Sequence, residues 1–385
     1  MRQILSETNF VLSLKTKMNL NVGRPVTGEE LIGREAEVNE IIRSLNAGQS
    51  VALIAPRRFG KTSIMLEVLE HLSKDGYYTG NIDIFTITDI KRLAYEITSQ
   101  VLRNRKLDTA FEKLKTNIGE VLTNIKFRKE IEGAEFILSF DKPQKDPWEQ
   151  LKSSLKYIDE FAAKHSRKIC FAFDEFGDLE KLDGSDIVKL FRGIIQNQEH
   201  SVFLFSGSYE SVMNKLFISS KSPFFRMVKI IQPGFIDEKS VMGFLKEKFS
   251  LLDVPIIEDD ILHGIKFTRG HPYYIRLFMQ ELYFLYLQYQ KPPVVSEVFE
   301  KMLISENNYL EKLWDEVSRK KEIKTVILKI LETGKPYSGT EIPGINISRA
   351  IKEMAGRGLV YSKDSSYYMT DPLFEKYIKV KIMKE

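Results

Sequence analysis

The segment Ala55-Pro56-Arg57-Arg58-Phe59-Gly60-Lys61-Thr62 restricts the fold of this chain more than any other. Before it lies Ser50-Val51-Ala52-Leu53-Ile54-Ala55, a short apolar run of the kind that forms a strand buried on both faces. After it, residues 62–72 return to helical periodicity. Strand, loop and helix in that order gather consecutive backbone N–H groups and a helix N-terminus around one concavity, which suits an anion. The spacing follows the phosphate-loop pattern Gly-x-x-x-x-Gly-Lys-Ser/Thr, with alanine in place of the first glycine. Pro56, Arg57, Arg58, Phe59, Gly60, Lys61, Thr62 and Ser63 are therefore the candidate phosphate-binding residues. Lys61 is placed to reach the β- and γ-phosphates, and the Thr62 hydroxyl to ligate Mg2+. Ala55 fits only if its φ stays negative. Arg57 and Arg58 are left to phosphate, DNA or solvent.

Further apolar runs at 77–84, 168–173, 202–206 and 227–231 read as strands separated by helical segments. Such alternation predicts an α/β fold, a parallel sheet covered by helices. Residues 91–165 are long, charged and mostly helical, with one alternating patch at 134–140, and read as an insertion. Beyond Pro233-Gly234 the strand pattern stops, and helices are expected over 237–249, 257–267, 272–289 and 294–304. The aromatic stripe of 273–289 reads as core. In the tail, helices over 323–331 and 348–357 precede Leu359-Val360-Tyr361 and Tyr367-Tyr368-Met369, which flank a polar turn. Helices followed by a hairpin is the layout of a winged helix. The expected plan is an arm over 1–18, a sheet domain over 19–235, a helical lid over 236–314 and a winged helix over 315–385.

The second chemical signal is Ile169-Cys170-Phe171-Ala172-Phe173-Asp174-Glu175. An apolar strand ending in two carboxylates puts both at the C-terminal edge of the sheet, where such folds bind ligands. Asp174 is assigned to Mg2+ through its water shell, and Glu175 to polarising an attacking water. The one cysteine, Cys170, excludes an intrachain disulfide framework and a cysteine-based zinc cluster. It reads as a small buried hydrophobe. A net charge of +4 is too mild to argue a nucleic-acid partner by itself. No apolar run approaches the ~20 residues that span a bilayer, and no secretory signal is visible, so a cytoplasmic location without a membrane partner is expected.

The loop Ile32-Gly33-Arg34-Glu35, the run 56–63 and the Asp174-Glu175 strand together resemble the archaeal-type ATPases of the STAND branch, relatives of the AAA+ ATPases. The resemblance continues through Phe205-Ser206-Gly207-Ser208, Ser222-Pro223-Phe224-Phe225-Arg226, Gly270-His271-Pro272 and Asp371-Pro372-Leu373-Phe374. It covers nearly everything from about Asn19 onward. It implies a P-loop NTPase fold, ATP and Mg2+ as cofactors, and slow hydrolysis of ATP to ADP and phosphate. Lys61, Glu175, Arg226 and Ser208 are the implied catalytic residues. Ser206 or Ser208 matches the polar sensor, and Arg226 an arginine directed at phosphate in cis or from a neighbour, with a surface ion pair as the equal alternative. His271 and Pro272 match the lid motif that touches nucleotide, and Gly33 and Arg34 the adenine pocket. The implied role is a nucleotide-dependent switch. The alternative is an initiator-like, ATP-dependent factor that lays its winged helix on duplex DNA, with Asn346, Ser348, Arg349, Lys352 and Lys363 facing it. Residues 335–385 carry nine Lys/Arg against six Asp/Glu, a small excess, and a protein–protein or intramolecular docking module is favoured slightly over DNA; nucleotide-dependent self-association is a further expected partner mode.

Overall fold

A computed structural model of the chain describes residues 22–105, 146–208, 210–220, 222, 224–336 and 344–384. The arm expected over 1–18 and the alternating patch at 134–140 lie outside the described residues. The chain forms two compact units. One holds Glu35–Ile54 and Lys61–Pro233; the other holds the residues up to Arg34, the loop Ala55–Gly60 and everything from Gly234.

In the first unit the apolar runs become β1 (Val51–Ile54), β2 (Tyr78–Asp83), β3 (Ile169–Asp174), β4 (Ser201–Gly207) and β5 (Lys229–Ile231). They form one parallel sheet in the order β2-β3-β4-β1-β5. Successive side chains of a strand point to opposite faces, and every residue of β1, β3 and β4 is buried, so both faces of the sheet centre are covered. The cover comes from α1 (Glu35–Asn46), α2 (Lys61–Lys74), α3 (Ile90–Arg103), α4 (Pro147–Lys164), α5 (Glu180–Ile195) and α6 (Glu210–Phe217). Phe173 stacks across to Phe203 and Phe205 on the neighbouring strand, with Phe171 tilted against it along β3. Cys170 lies fully buried in β3, as expected for a small hydrophobe, and burial pushes its thiol up to about 12.

The second unit is helical. Asp237 caps α7 (Glu238–Leu251) by accepting from Ser240 N–H at 2.9 Å. Then come α8 (Glu258–Thr268), α9 (Pro272–Tyr289), α10 (Val295–Ser305) and α11 (Asn307–Ser318). The tail adds α12 (Lys321–Thr333) and α13 (Ile347–Gly356), the latter capped by Asn346. The hairpin β6 (Val360–Lys363) and β7 (Ser366–Met369) is antiparallel, as its sequence predicts. Its two turn residues, Asp364 and Ser365, both have positive φ (+49° and +61°), the backbone that a two-residue turn matched to strand twist requires. Asp371 opens α14 (Pro372–Tyr377), accepting from Phe374 N–H at 2.8 Å and from the Tyr274 hydroxyl at 2.7 Å. Trp314, Val317, Ile323 and Phe374 share one hydrophobic core with the helices from Val241 onward, so packing is continuous across residues 314–315. No helix among the described residues is long and apolar enough to cross a membrane.

Candidate active site

In the sheet unit β4 lies between β1 and β3, so α2, which begins at Lys61, and the ends of β3 and β4 meet at the C-terminal edge. The Lys61 side chain is buried, and its Nζ donates to Ser208 Oγ at 2.9 Å. Ser208 in turn donates its backbone N–H to Glu175 Oε2 at 3.0 Å and its hydroxyl to Glu175 Oε1. Beside this chain, Thr62 Oγ1 donates to Asp174 Oδ2 at 2.6 Å, and Ser206 Oγ to Asp174 Oδ1. The two serines are two residues apart and thus share a side of the strand path. The sequence offered Ser206 or Ser208 for one role; the structure gives Ser206 to Asp174, and Ser208 to Lys61 and Glu175. Ser63 is buried one residue further along α2.

Glu175 adopts a left-handed backbone (φ +47°, ψ +43°), which costs a non-glycine residue on the order of 1–3 kcal/mol. The next residue offsets that strain: Phe176 is fully buried among the rings of Phe173, Phe205 and Phe224. Sequence reading missed Asp83, the last residue of β2, which is the register partner of Asp174. Burial, joined by the charges of Asp174, Glu175 and Asp178, holds its carboxyl above the ordinary range. The signal was present, because the strand read over 77–84 contains it. Arg226 sits on an exposed turn before β5 at φ +59°, its guanidinium carbon 5.2 Å from the Phe225 ring.

The loop residues of the second unit have their own partners. φ is positive at Arg58 (+68°) and Gly60 (+82°), while Ala55 is not among the positive-φ residues, so alanine meets the condition set for it. Arg58 Nη1 donates to Glu306 Oε2 at 2.8 Å. The Phe59 ring packs 5.2 Å from Phe235 and 4.8 Å from His271. Arg34, only 2% exposed, donates to the carbonyls of Gly234 (2.7 Å) and Phe59 (3.4 Å). Gly33 takes φ +54°, and a β-carbon there would come within 2.7 Å of Ile236. Pro56 is half-buried, Arg57 is exposed, and Pro272 is the first residue of α9. His271 is buried against Phe59 and Tyr274. Gly270 explains why the Gly-His-Pro motif starts with glycine. Its carbonyl accepts from Ile236 N–H at 2.8 Å, and a β-carbon would lie 2.1 Å from the Ile236 carbonyl oxygen.

Residues 31–278 match the family described as an ATPase domain predominantly from Archaea. That stretch is well over half of the chain. The chain belongs to this archaeal ATPase family. Its solved structural relatives include the Walker-type ATPase of Pyrococcus abyssi, with a TM-score of 0.69 at 16% identity over 94% of this chain and 100% of that one. The ORC2 protein of Aeropyrum pernix in ADPNP–ADP complexes gives 0.54 at 13% identity over 94% of this chain and 98% of that one. At such identities the likeness shows the fold, that of the P-loop NTPases. No curated protein matches the chain in sequence. The Lys61, Thr62 and Asp174-Glu175 assembly therefore belongs to an ATPase, which converts ATP and water into ADP and phosphate.

Within this ATPase His271 is kept neutral. Burial, helped by the charges of Arg58 and Arg34, pushes its imidazole down to about 3, and its Nδ1 has no hydrogen-bond partner among the described residues. A base whose folded pKa lies below its unfolded value of about 6.5 contributes no penalty above that pH. As pH falls below 6.5, protons bind the unfolded chain first, and stability drops by about 1.4 kcal/mol per unit until pH nears 3. Between pH 7 and pH 5 the loss from this residue is about 2 kcal/mol. His271→Phe should lack that increment. Urea unfolding of both proteins at the two pH values checks it, and equal acid losses would exclude His271 as the source.

Proposed function

We propose that this ATPase is a slow nucleotide-dependent switch, in which the state of the Lys61–Ser208–Glu175 chain reports the bound nucleotide to the C-terminal region. The observation that carries the reading is that one hydroxyl, Ser208 Oγ, bridges the phosphate-loop lysine and the strand-end glutamate. On binding, Lys61 would exchange Ser208 for phosphate oxygens, and Glu175 would be released toward the attacking water. Glu175 accepts a hydrogen bond from that water and orients it, a contribution of the size expected for general-base catalysis. Ser208 senses the γ-phosphate. Arg226 supplies positive charge to the phosphates, in cis or from a neighbouring copy.

Thr62 Oγ1 and Asp174 Oδ2 are hard oxygen donors already paired at 2.6 Å, which suits Mg2+. These two residues would hold the ion, whose contribution is to neutralise charge on the phosphate oxygens. Gly33, Arg34, Pro56, Arg57, Phe59, Gly60, Ser63, His271 and Pro272 complete the nucleotide-binding set in this reading. The domain plan that goes with it is a sheet domain to about residue 235, a helical lid to 314 and a winged helix beyond.

If nucleotide state is reported to the tail, residues 306–320 should be cut at different rates with an ATP analogue, with ADP and without nucleotide. Limited proteolysis measures this, and identical cleavage in all three states would sink the switch. A second reading, binding of duplex DNA, draws on the exposed Arg349, Lys352 and Lys363 and on the fold shared with ORC2. Against it, two other cations of the region are neutralised: Arg357 pairs with Glu316, and Lys320 with Glu353 at 2.6 Å. A duplex mobility shift that weakens with salt would favour DNA over a protein partner.

A further inference from the structure

Arg58 lies inside the phosphate loop by sequence, yet its side chain is held by residues more than two hundred positions away. Its Nη1 donates to Glu306 Oε2 at 2.8 Å, and Glu306 is only 11% exposed. The guanidinium carbon sits 4.2 Å from the Tyr273 ring centroid and 4.3 Å from that of Tyr309. The Tyr273 hydroxyl donates to the other oxygen of Glu306, so one carboxylate joins the cation and a ring. A planar cation with two aromatic rings against it and a carboxylate at its edge is a seat for guanidinium and not for an ammonium. Burial alone would loosen the proton of Arg58, but Glu306, with Tyr273 and Tyr274, more than offsets it and holds the group above the ordinary arginine range.

The backbone gives this seat a purpose. Positive φ at Arg58 and at Gly60 supplies the left-handed turns that aim successive N–H groups into one anion-binding nest. Gly60 adopts that conformation without steric cost; Arg58 does not. One further contact steadies the same loop, Arg34 on the Phe59 carbonyl, and Gly358 lies so near that an added β-carbon would come within 3.2 Å of the Pro56 ring. We propose that Tyr273, Tyr309 and Glu306 form a seat that keeps Arg58 in its left-handed turn and thereby holds the phosphate loop in its anion-binding shape. Arg58 is then a positioning residue and not a phosphate ligand. This rests on the phosphate-loop reading, and it makes nucleotide affinity depend on residues of α9, α11 and the α10–α11 junction.

Calorimetry of the full chain with ADP and with a non-hydrolysable ATP analogue tests it. The series comprises wild type, Arg58→Ala, Arg58→Lys, Arg58→Gly, Glu306→Gln and the double variant Arg58→Gly/Glu306→Gln, with Lys61→Ala as reference. Arg58→Ala and Arg58→Lys should bind about tenfold more weakly than wild type, because the seat is lost while the strained backbone remains. Arg58→Gly should bind at least about fivefold more tightly than Arg58→Ala, since glycine takes the turn unaided. Glu306→Gln should weaken wild type about fivefold but change the Arg58→Gly protein by no more than about twofold, the non-additivity expected if Glu306 acts only through Arg58. In phosphate-release assays the Arg58→Lys defect should appear in KM far more than in kcat. The proposal is overturned if glycine is as weak as alanine, which would make Arg58 a direct nucleotide ligand. It is equally overturned if the Glu306 effect persists in the glycine background. Loss of binding in Lys61→Ala beside a flat Arg58 series sinks this inference alone; unchanged binding in Lys61→Ala sinks the phosphate-loop reading beneath it.

Discussion

Replacing Lys61 by alanine should raise the Kd for ATP at least about a hundredfold. The Lys61 ammonium is buried, and in the structure it donates to the neutral hydroxyl of Ser208 at 2.9 Å. Phosphate oxygens are better partners for it than that hydroxyl. Each charge-assisted hydrogen bond is worth about 1.5–3 kcal/mol, so two lost together correspond to about two to four decades of affinity. Backbone N–H groups of the loop are neutral and cannot replace the charge. The variant should remain folded, because removing a buried cation relieves desolvation and leaves the Ser208–Glu175 bonds in place. Calorimetry beside a thermal melt separates the two effects. Unchanged affinity in a folded variant would show that the nucleotide lies elsewhere.

Glu175→Gln should do the reverse, sparing binding and stopping turnover. The amide can still accept from Ser208 N–H and can donate to Ser208 Oγ, so the local network and the turn at Glu175 survive. What it cannot do is polarise water as a carboxylate does. Loss of a general base costs about two to four decades in rate. Phosphate release should fall by that factor while the Kd for ATP stays within about threefold. A variant that releases phosphate at the wild-type rate would move the role to another group, and Asp83, beside Asp174 in the sheet register, would be the first to examine.

The gathering of polar side chains at the sheet edge was legible because it is local in sequence. Val51–Ala55 and Ile169–Phe173 are unbroken apolar runs of the kind a strand buried on both faces needs, and each delivers its polar residues where the run ends. The hairpin at 360–369 was equally readable from its two aromatic runs and the polar residues between them. The partners of the loop were not legible. Nothing in the vicinity of Arg58 points to Glu306, because a cation's carboxylate is chosen by tertiary packing and not by spacing along the chain. Arg34 donates to the backbone carbonyls of Phe59 and Gly234, a job that any buried arginine can take and that leaves no trace in sequence. The Asp371-Pro372-Leu373-Phe374 motif resolves into a helix cap that also receives the Tyr274 hydroxyl, and only the cap could be read from residue types. Helix α11 was not singled out: its apolar positions are few, and it follows α10 after a single residue, Glu306.

Cys170 has a practical bearing on how these ideas can be followed. The chain's one thiol is enclosed within β3, where burial pushes it up to about 12, so at neutral pH it is protonated and out of reach of alkylating reagents. The native sequence is thus already silent toward maleimides. A cysteine placed on the surface, for instance at exposed positions of α11 or α13, becomes the sole site of labelling without any background substitution. That spares β3, where altering the strand interior would disturb the very element that ends in Asp174 and is followed by Glu175. Fluorophore or spin-label pairs introduced this way can test whether nucleotide rearranges the chain in solution, on an otherwise unmodified enzyme.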